Sequence, residues 1–170
     1  MAPPPGPGLL SLYDEALPQV YGYLLARCGQ RALAEDLTAE TFLAAVRAEA
    51  HGGVQTTVAW LIGTARHKLV DHWRRREGEE RSLRLIEGGP GTEDPWDEQL
   101  DAMRAQAVLE QLSPAQRAAL TLRYLDDLPV SRVAALLGRT VHATEALLVR
   151  SRTAFRRLYQ ATDTVPGGAS

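Results

Sequence analysis

His67, Asp71 and His72 are imidazole and carboxylate groups, the ligand types that hold a divalent transition metal. Arg74, Arg75 and Arg76 follow directly, and adjacent guanidinium groups grip phosphate. Leu69, Val70 and Trp73 are threaded between them and suit the inner side of a core helix. The same ten residues, HKLVDHWRRR, therefore point to a metalloenzyme, a nucleic-acid binder or neither. The choice turns on the element that carries them.

That element reads as a helix from a Thr56 or Thr57 cap to about residue 77. Val58, Leu61, Ile62, Ala65, Leu69, His72 and Trp73 repeat at i, i+3, i+4 and i+7 and form its apolar stripe. At about 100° per residue, Trp60, Thr64, His67, Lys68, Asp71, Arg74 and Arg75 fall on the opposite side. His67 and Asp71 share that side, but His72 turns away onto the stripe. Three ligands do not converge, so no metal site, cofactor or catalytic residue is expected, and the chain reads as a non-enzyme. A face mixing cations with an aromatic suits a nucleic-acid partner. Trp60 reads equally as core. The preceding HGGVQTT, with Gly52 and Gly53, reads as a break before this helix.

The totals at first argue against a polyanionic partner. In 170 residues there are 19 basic and 21 acidic side chains, net −2. Their distribution reverses the argument. Residues 77–101 hold 2 basic and 9 acidic groups, whereas residues 117–160 hold 8 basic and 3 acidic. Local fields decide whether nucleic acid is attracted. Hydrophobic residues at 45% and aromatics at only 6% favour a folded helical protein. No run reaches the roughly 18 apolar residues of a membrane span. The opening MAPPPGPGLL lacks the basic and apolar regions of a secretory signal. The single Cys28 has no disulfide partner and reads as a small core residue. A reducing cytoplasm is the expected compartment.

The organisation reads as all-α: two small helical domains joined by a flexible acidic linker. Residues 1–10 read as a disordered tail and 11–77 as the first domain. Its first helix starts at Ser11, with Asp14 completing a capping box, and buries Leu17, Val20, Tyr21, Leu24 and Cys28 before Gly29. A second helix over about 31–50 turns Ala34, Leu37, Thr41 and Val46 inward. Residues 78–100 read as the linker, with LRLI as a segment that could dock. Residues 101–160 form the second domain and 161–170 a loose tail. Within the second domain Ser113–Pro114 is a strong helix start, and DDLP breaks that helix. VSRVAALLG, capped by Ser131, then joins a long amphipathic helix through the three residues RTV. A short helix with Ala134 at its centre, Gly138 at its end and a second helix close behind is the helix-turn-helix pattern. It sets His142, Ala143, Thr144, Glu145 and Leu148 near base edges, with Arg150 and Arg152 towards phosphates.

DLTAETFLAAV resembles the polymerase-binding segment of bacterial sigma factors, with Ala39 where that family commonly has glutamine. TVAWLIGTARHKLVDHWRRR looks like the family's promoter-melting, −10-reading helix, including the pair Trp60–Leu61. LSPAQRAALTLRYLDDLPVSRVAALLG resembles the −35-reading domain. The resemblance covers about 11–77 and 101–160, with only an acidic linker between, and is to the minimal two-domain, extracytoplasmic-function class. It implies a factor that binds core RNA polymerase, reads −10 and −35 promoter DNA and opens the duplex, and that an anti-sigma protein can occlude. It implies Asp36, Thr38, Glu40 and Phe42 at the polymerase; Phe42 also reads as plain core. It implies Trp60, His67, Lys68, Asp71, Arg74 and Arg75 at the −10 element, and His142, Thr144, Glu145, Leu148, Arg150 and Arg152 at the −35 element. One departure stands out. Where the family commonly has basic and small residues, Ala143–Leu147 includes Glu145 and no arginine. Either Glu145 accepts from a cytosine amino group, or contacts there are weak. The competing function is a helix-turn-helix regulator that binds duplex DNA without polymerase; it would have no use for the DLTAETF face.

Overall fold

A computed structural model describes residues 8–81 and 101–163, and every regular element among them is helical. The chain divides into two compact units between Asp71 and His72.

In the first unit α1 spans Leu9–Cys28 and α2 spans Arg31–His51. Helix α1 begins two residues before Ser11: Gly8 is its N-cap, with no side-chain cap, and the Ser11 N–H donates to the Gly8 carbonyl at 2.9 Å. The expected Ser11 cap is therefore already inside the first turn. Gly29, in the left-handed region at φ 71°, ends the helix. Val20, Leu24 and Cys28 of α1, Ala34, Leu37, Thr41 and Ala45 of α2 and Leu61, Ala65 and Leu69 of α3, which runs from Val58 to Arg81, are all buried. Val46 departs from expectation and is 52% exposed; Ala45 takes the inward position. Thr57 caps α3, its hydroxyl accepting from the Trp60 N–H at 3.1 Å. Helix α3 runs past residue 77, so residues 78–81, read from sequence as linker, are helical. The LRLI segment lies outside the described residues.

In the second unit the last turns of α3 accompany α4 (Ala102–Gln111), α5 (Pro114–Leu120), α6 (Val130–Leu137) and α7 (Val141–Asp163). Trp73 is buried with the Arg117 guanidinium 5.3 Å from its ring centre, and a Glu77 carboxylate oxygen accepts from the Ala115 N–H. The expected Ser113 start is present in full: Ser113 and Gln116 form a reciprocal capping box, with Pro114 in the first turn. Helix α5 passes into a π-helical turn over Thr121–Leu125, and the Asp126 N–H closes back on the Thr121 carbonyl. Asp127 then takes φ 52°, so a left-handed residue helps end the helix at DDLP. Helix α6 has Pro129 as its N-cap and no side-chain cap; Ser131 lies one residue inside the helix and is not the cap. Val108, Leu122, Val133, Leu137, Leu147 and Phe155 form the centre of this core.

Candidate nucleic-acid interface

Three helical faces carry the residues singled out from sequence. The first is on α2. Asp36 and Glu40 are exposed, four residues apart on one strip. Thr38 and Phe42 are not on it. The Thr38 hydroxyl donates to the Ala34 carbonyl at 2.6 Å and is buried. Phe42 is 8% exposed, its ring edge-on to Tyr13 at 5.0 Å. Both residues help floor a groove of about 450 Å³ between α1 and α2, whose walls include Tyr13, Leu17, Pro18 and Tyr21. Pro18 sits inside α1, where it has no N–H to give the helix. Sequence reasoning missed Leu43. It is 53% exposed and, seven residues after Asp36, lies on the Asp36–Glu40 strip. The i, i+4, i+7 spacing was the available signal, but a leucine beside a phenylalanine reads as core.

The second face is on α3. His67, Asp71, Arg74 and Arg75 are exposed, and Trp60 and Lys68 are half-buried, while Leu61, Ala65, Leu69 and Trp73 are buried. One helix thus carries all six residues expected at melted DNA. His72 is half-buried and off that face. Among the described residues, no three of His, Cys, Asp and Glu are grouped so as to hold a metal ion. Before α3, Gly52 and Gly53 take φ 74° and 89°, which allows the chain to reverse there. Thr56 in this loop is buried, and its hydroxyl has no hydrogen-bond partner among the described residues.

The third face is the helix-turn-helix. Gly138 ends α6 at φ 65°, and Thr140 opens α7, its hydroxyl accepting from the Ala143 N–H at 3.1 Å. This phase decides which side chains face out. Thr144 is fully buried with its hydroxyl on the Thr140 carbonyl, and Leu148 is 3% exposed. Two of the five residues expected near base edges, Thr144 and Leu148, are therefore core residues. Their i, i+4 spacing belongs to the stripe that continues through Ser151 and Phe155. His142, Glu145 and Arg150 are exposed. Arg152 is half-buried and donates to the Tyr124 hydroxyl at 3.0 Å. Sequence reasoning also missed Val141, 46% exposed at the start of α7.

Similar proteins place the chain in a family. The sigma-70 region 2 family model matches residues 12–79 and the sigma-70 region 4 model matches residues 102–155. The ECF RNA polymerase sigma factor BldN of Streptomyces coelicolor is 33% identical over 154 residues, 86% of this chain. The ECF RNA polymerase sigma factor SigC of Mycobacterium tuberculosis is 31% identical over 71% of this chain. The chain spans 58% of the length of BldN and 67% of that of SigC. Among solved structures, the sigma factor RpoE from Bartonella quintana, crystallised with the anti-sigma factor NepR, superposes with a TM-score of 0.54. That match covers 89% of this chain and 95% of RpoE at 22% identity and supports the all-α fold. The chain belongs to the sigma-70 family of RNA polymerase sigma factors, in its ECF class.

Proposed function

We propose that this protein is a promoter-specificity factor: it binds core RNA polymerase, reads −10 and −35 elements and opens the duplex. The carrying observation is the presence on one chain of region 2 and region 4, in that order, together with the cationic outer face of α3. The reading assigns residues 11–77 to polymerase and the −10 element, the stretch between the end of α3 at Arg81 and Asp101 to a linker and 101–160 to the −35 element.

The polymerase face is the α2 strip of Asp36, Glu40 and Leu43. Its carboxylates suit a basic partner helix, and Leu43 supplies an apolar contact beside them. Thr38 and Phe42 act from beneath, by holding α2 in place against α1. On α3, Lys68, Arg74 and Arg75 hold phosphates, while Trp60 and His67 offer stacking surfaces. Stacking on an aromatic is worth about 1–3 kcal/mol per base, comparable to the few kcal/mol needed to take a base out of the duplex. The protein thus opens DNA by capturing the open form, without covalent chemistry of its own.

The setting is the cytoplasm, where polymerase and promoter are. Among the described residues no helix is long and apolar enough to cross a membrane. The complex of RpoE with NepR supports an anti-sigma partner for this chain too. The test is run-off transcription from genomic fragments with purified core polymerase. Transcripts that appear only when this protein is added are expected. Sequence-specific binding to closed duplex by the protein alone, with no such transcripts, would favour the regulator reading.

A further inference from the structure

The first turns of α7 present an exposed pair, one apolar and one acidic. Val141 is apolar yet 46% exposed. Glu145, one turn on, is exposed and takes part in no hydrogen bond or ion pair among the described residues. The positions three and four residues either side of it are Val141, His142, Leu148 and Val149, so its own helix offers no Lys or Arg. This lone carboxylate stands where residues 117–160 carry a clear basic excess. The fold uses neither side chain. Thr140 makes the cap, and Thr144, Leu147, Leu148, Ser151 and Phe155 form the buried stripe.

Resting on the promoter-factor reading above, we propose that Val141 and Glu145 set the −35 specificity. Glu145 accepts a hydrogen bond from the N4 amino group of a cytosine, and Val141 packs on the C5 methyl of a nearby thymine. The major groove narrows the choice. Guanine shows two acceptors and thymine one, and all of them repel a carboxylate. Adenine shows a donor beside an acceptor, and cytosine shows a donor alone. A carboxylate on phosphate-rich DNA therefore gains most at cytosine and penalises the other bases, which is selection by rejection. Residues four apart on a helix are about 6 Å apart along its axis. Base pairs rise about 3.4 Å, so the thymine lies within two base pairs of the cytosine. Affinity then comes from the exposed Arg150 and Arg157, which lie further along α7 and reach phosphates without reading sequence.

The experiment uses the full chain with core polymerase on promoter templates randomised across the −35 region, sequencing the templates that yield transcripts. The wild type is expected to select one C·G pair with a T·A pair within two positions, by roughly 5- to 100-fold over other bases. E145Q is expected to shift that single position towards adenine, whose N6 and N7 match a glutamine amide. Replacing the thymine by deoxyuridine should cost the wild type about fourfold, the value of one buried carbon, and should cost V141A nothing. Transcripts whose base preferences are the same in wild type, E145Q and V141A would overturn the assignment and leave the promoter-factor reading intact. No protein-dependent transcript from any template would overturn both.

Discussion

Phe42→Ala separates a core residue from a partner-facing residue on α2. The wild-type ring is 8% exposed and meets Tyr13 edge-on at 5.0 Å. Returning such a side chain to solvent forfeits about 2–3 kcal/mol of burial. The lost aromatic pair adds about 0.5–1.5 kcal/mol. The void opens onto the groove between α1 and α2, which limits any further cavity cost. The total is about 2.5–4.5 kcal/mol. In a unit of this size each kcal/mol moves Tm by about 4–8 °C, so the first unit should melt roughly 10–35 °C lower. Leu43, the next residue, is 53% exposed, and Leu43→Ala should change stability by no more than about 0.5 kcal/mol. The assay pairs thermal melts followed by far-ultraviolet circular dichroism with capture of core polymerase on the tagged protein. F42A should lose both signals together; L43A should keep its Tm and lose capture. If F42A melts with the wild type and loses capture while L43A captures normally, then Phe42 is the anchor and the burial argument fails.

The double variant D36A/E40A should fold within about 0.5 kcal/mol of wild type and capture core polymerase roughly tenfold more weakly, about 1.4 kcal/mol; unchanged capture at low salt would remove these carboxylates from the interface. R74A/R75A should slow promoter opening and flatten its dependence on salt by about 0.7 in log–log slope for each phosphate no longer held. An unchanged slope would mean that these arginines face solvent in the open complex. Thr56→Val replaces a buried hydroxyl that has no partner and should raise the urea midpoint of the first unit by the equivalent of about 1 kcal/mol. A lower midpoint would show that the hydroxyl is satisfied by bound water.

Periodic signals are the ones that can be read without coordinates. The Ser113–Pro114 start and the Gly138 stop follow from local chemistry and are present, and of the expected α3 stripe Leu61, Ala65, Leu69 and Trp73 are buried while Val58, Ile62 and His72 are half-buried. Positions at the edge of a stripe are harder. Val46 reads as inward and Leu43 draws no notice, because an isolated helix does not reveal which way its partner lies; α1 against α2 fixes that. Serine is a good cap in general, which points to Ser11 and Ser131. Glycine at position 8 and proline at 129 take those places instead, and both serines fall inside their helices. Counting from the start of α7 points Thr144 and Leu148 at DNA. Burial shows that the same count traces the core stripe, and only packing against the rest of the second unit distinguishes the two.

The division of labour along α7 has a consequence for how such factors diversify. The buried side chains that pack the helix into its unit lie on one stripe, and Val141, His142 and Glu145 lie off it. Substitutions at those outward positions cost little stability, so the promoter address can be rewritten while the scaffold is kept. Gene duplication followed by a few changes at these positions would give a cell two factors that assemble with the same polymerase and answer to different genes.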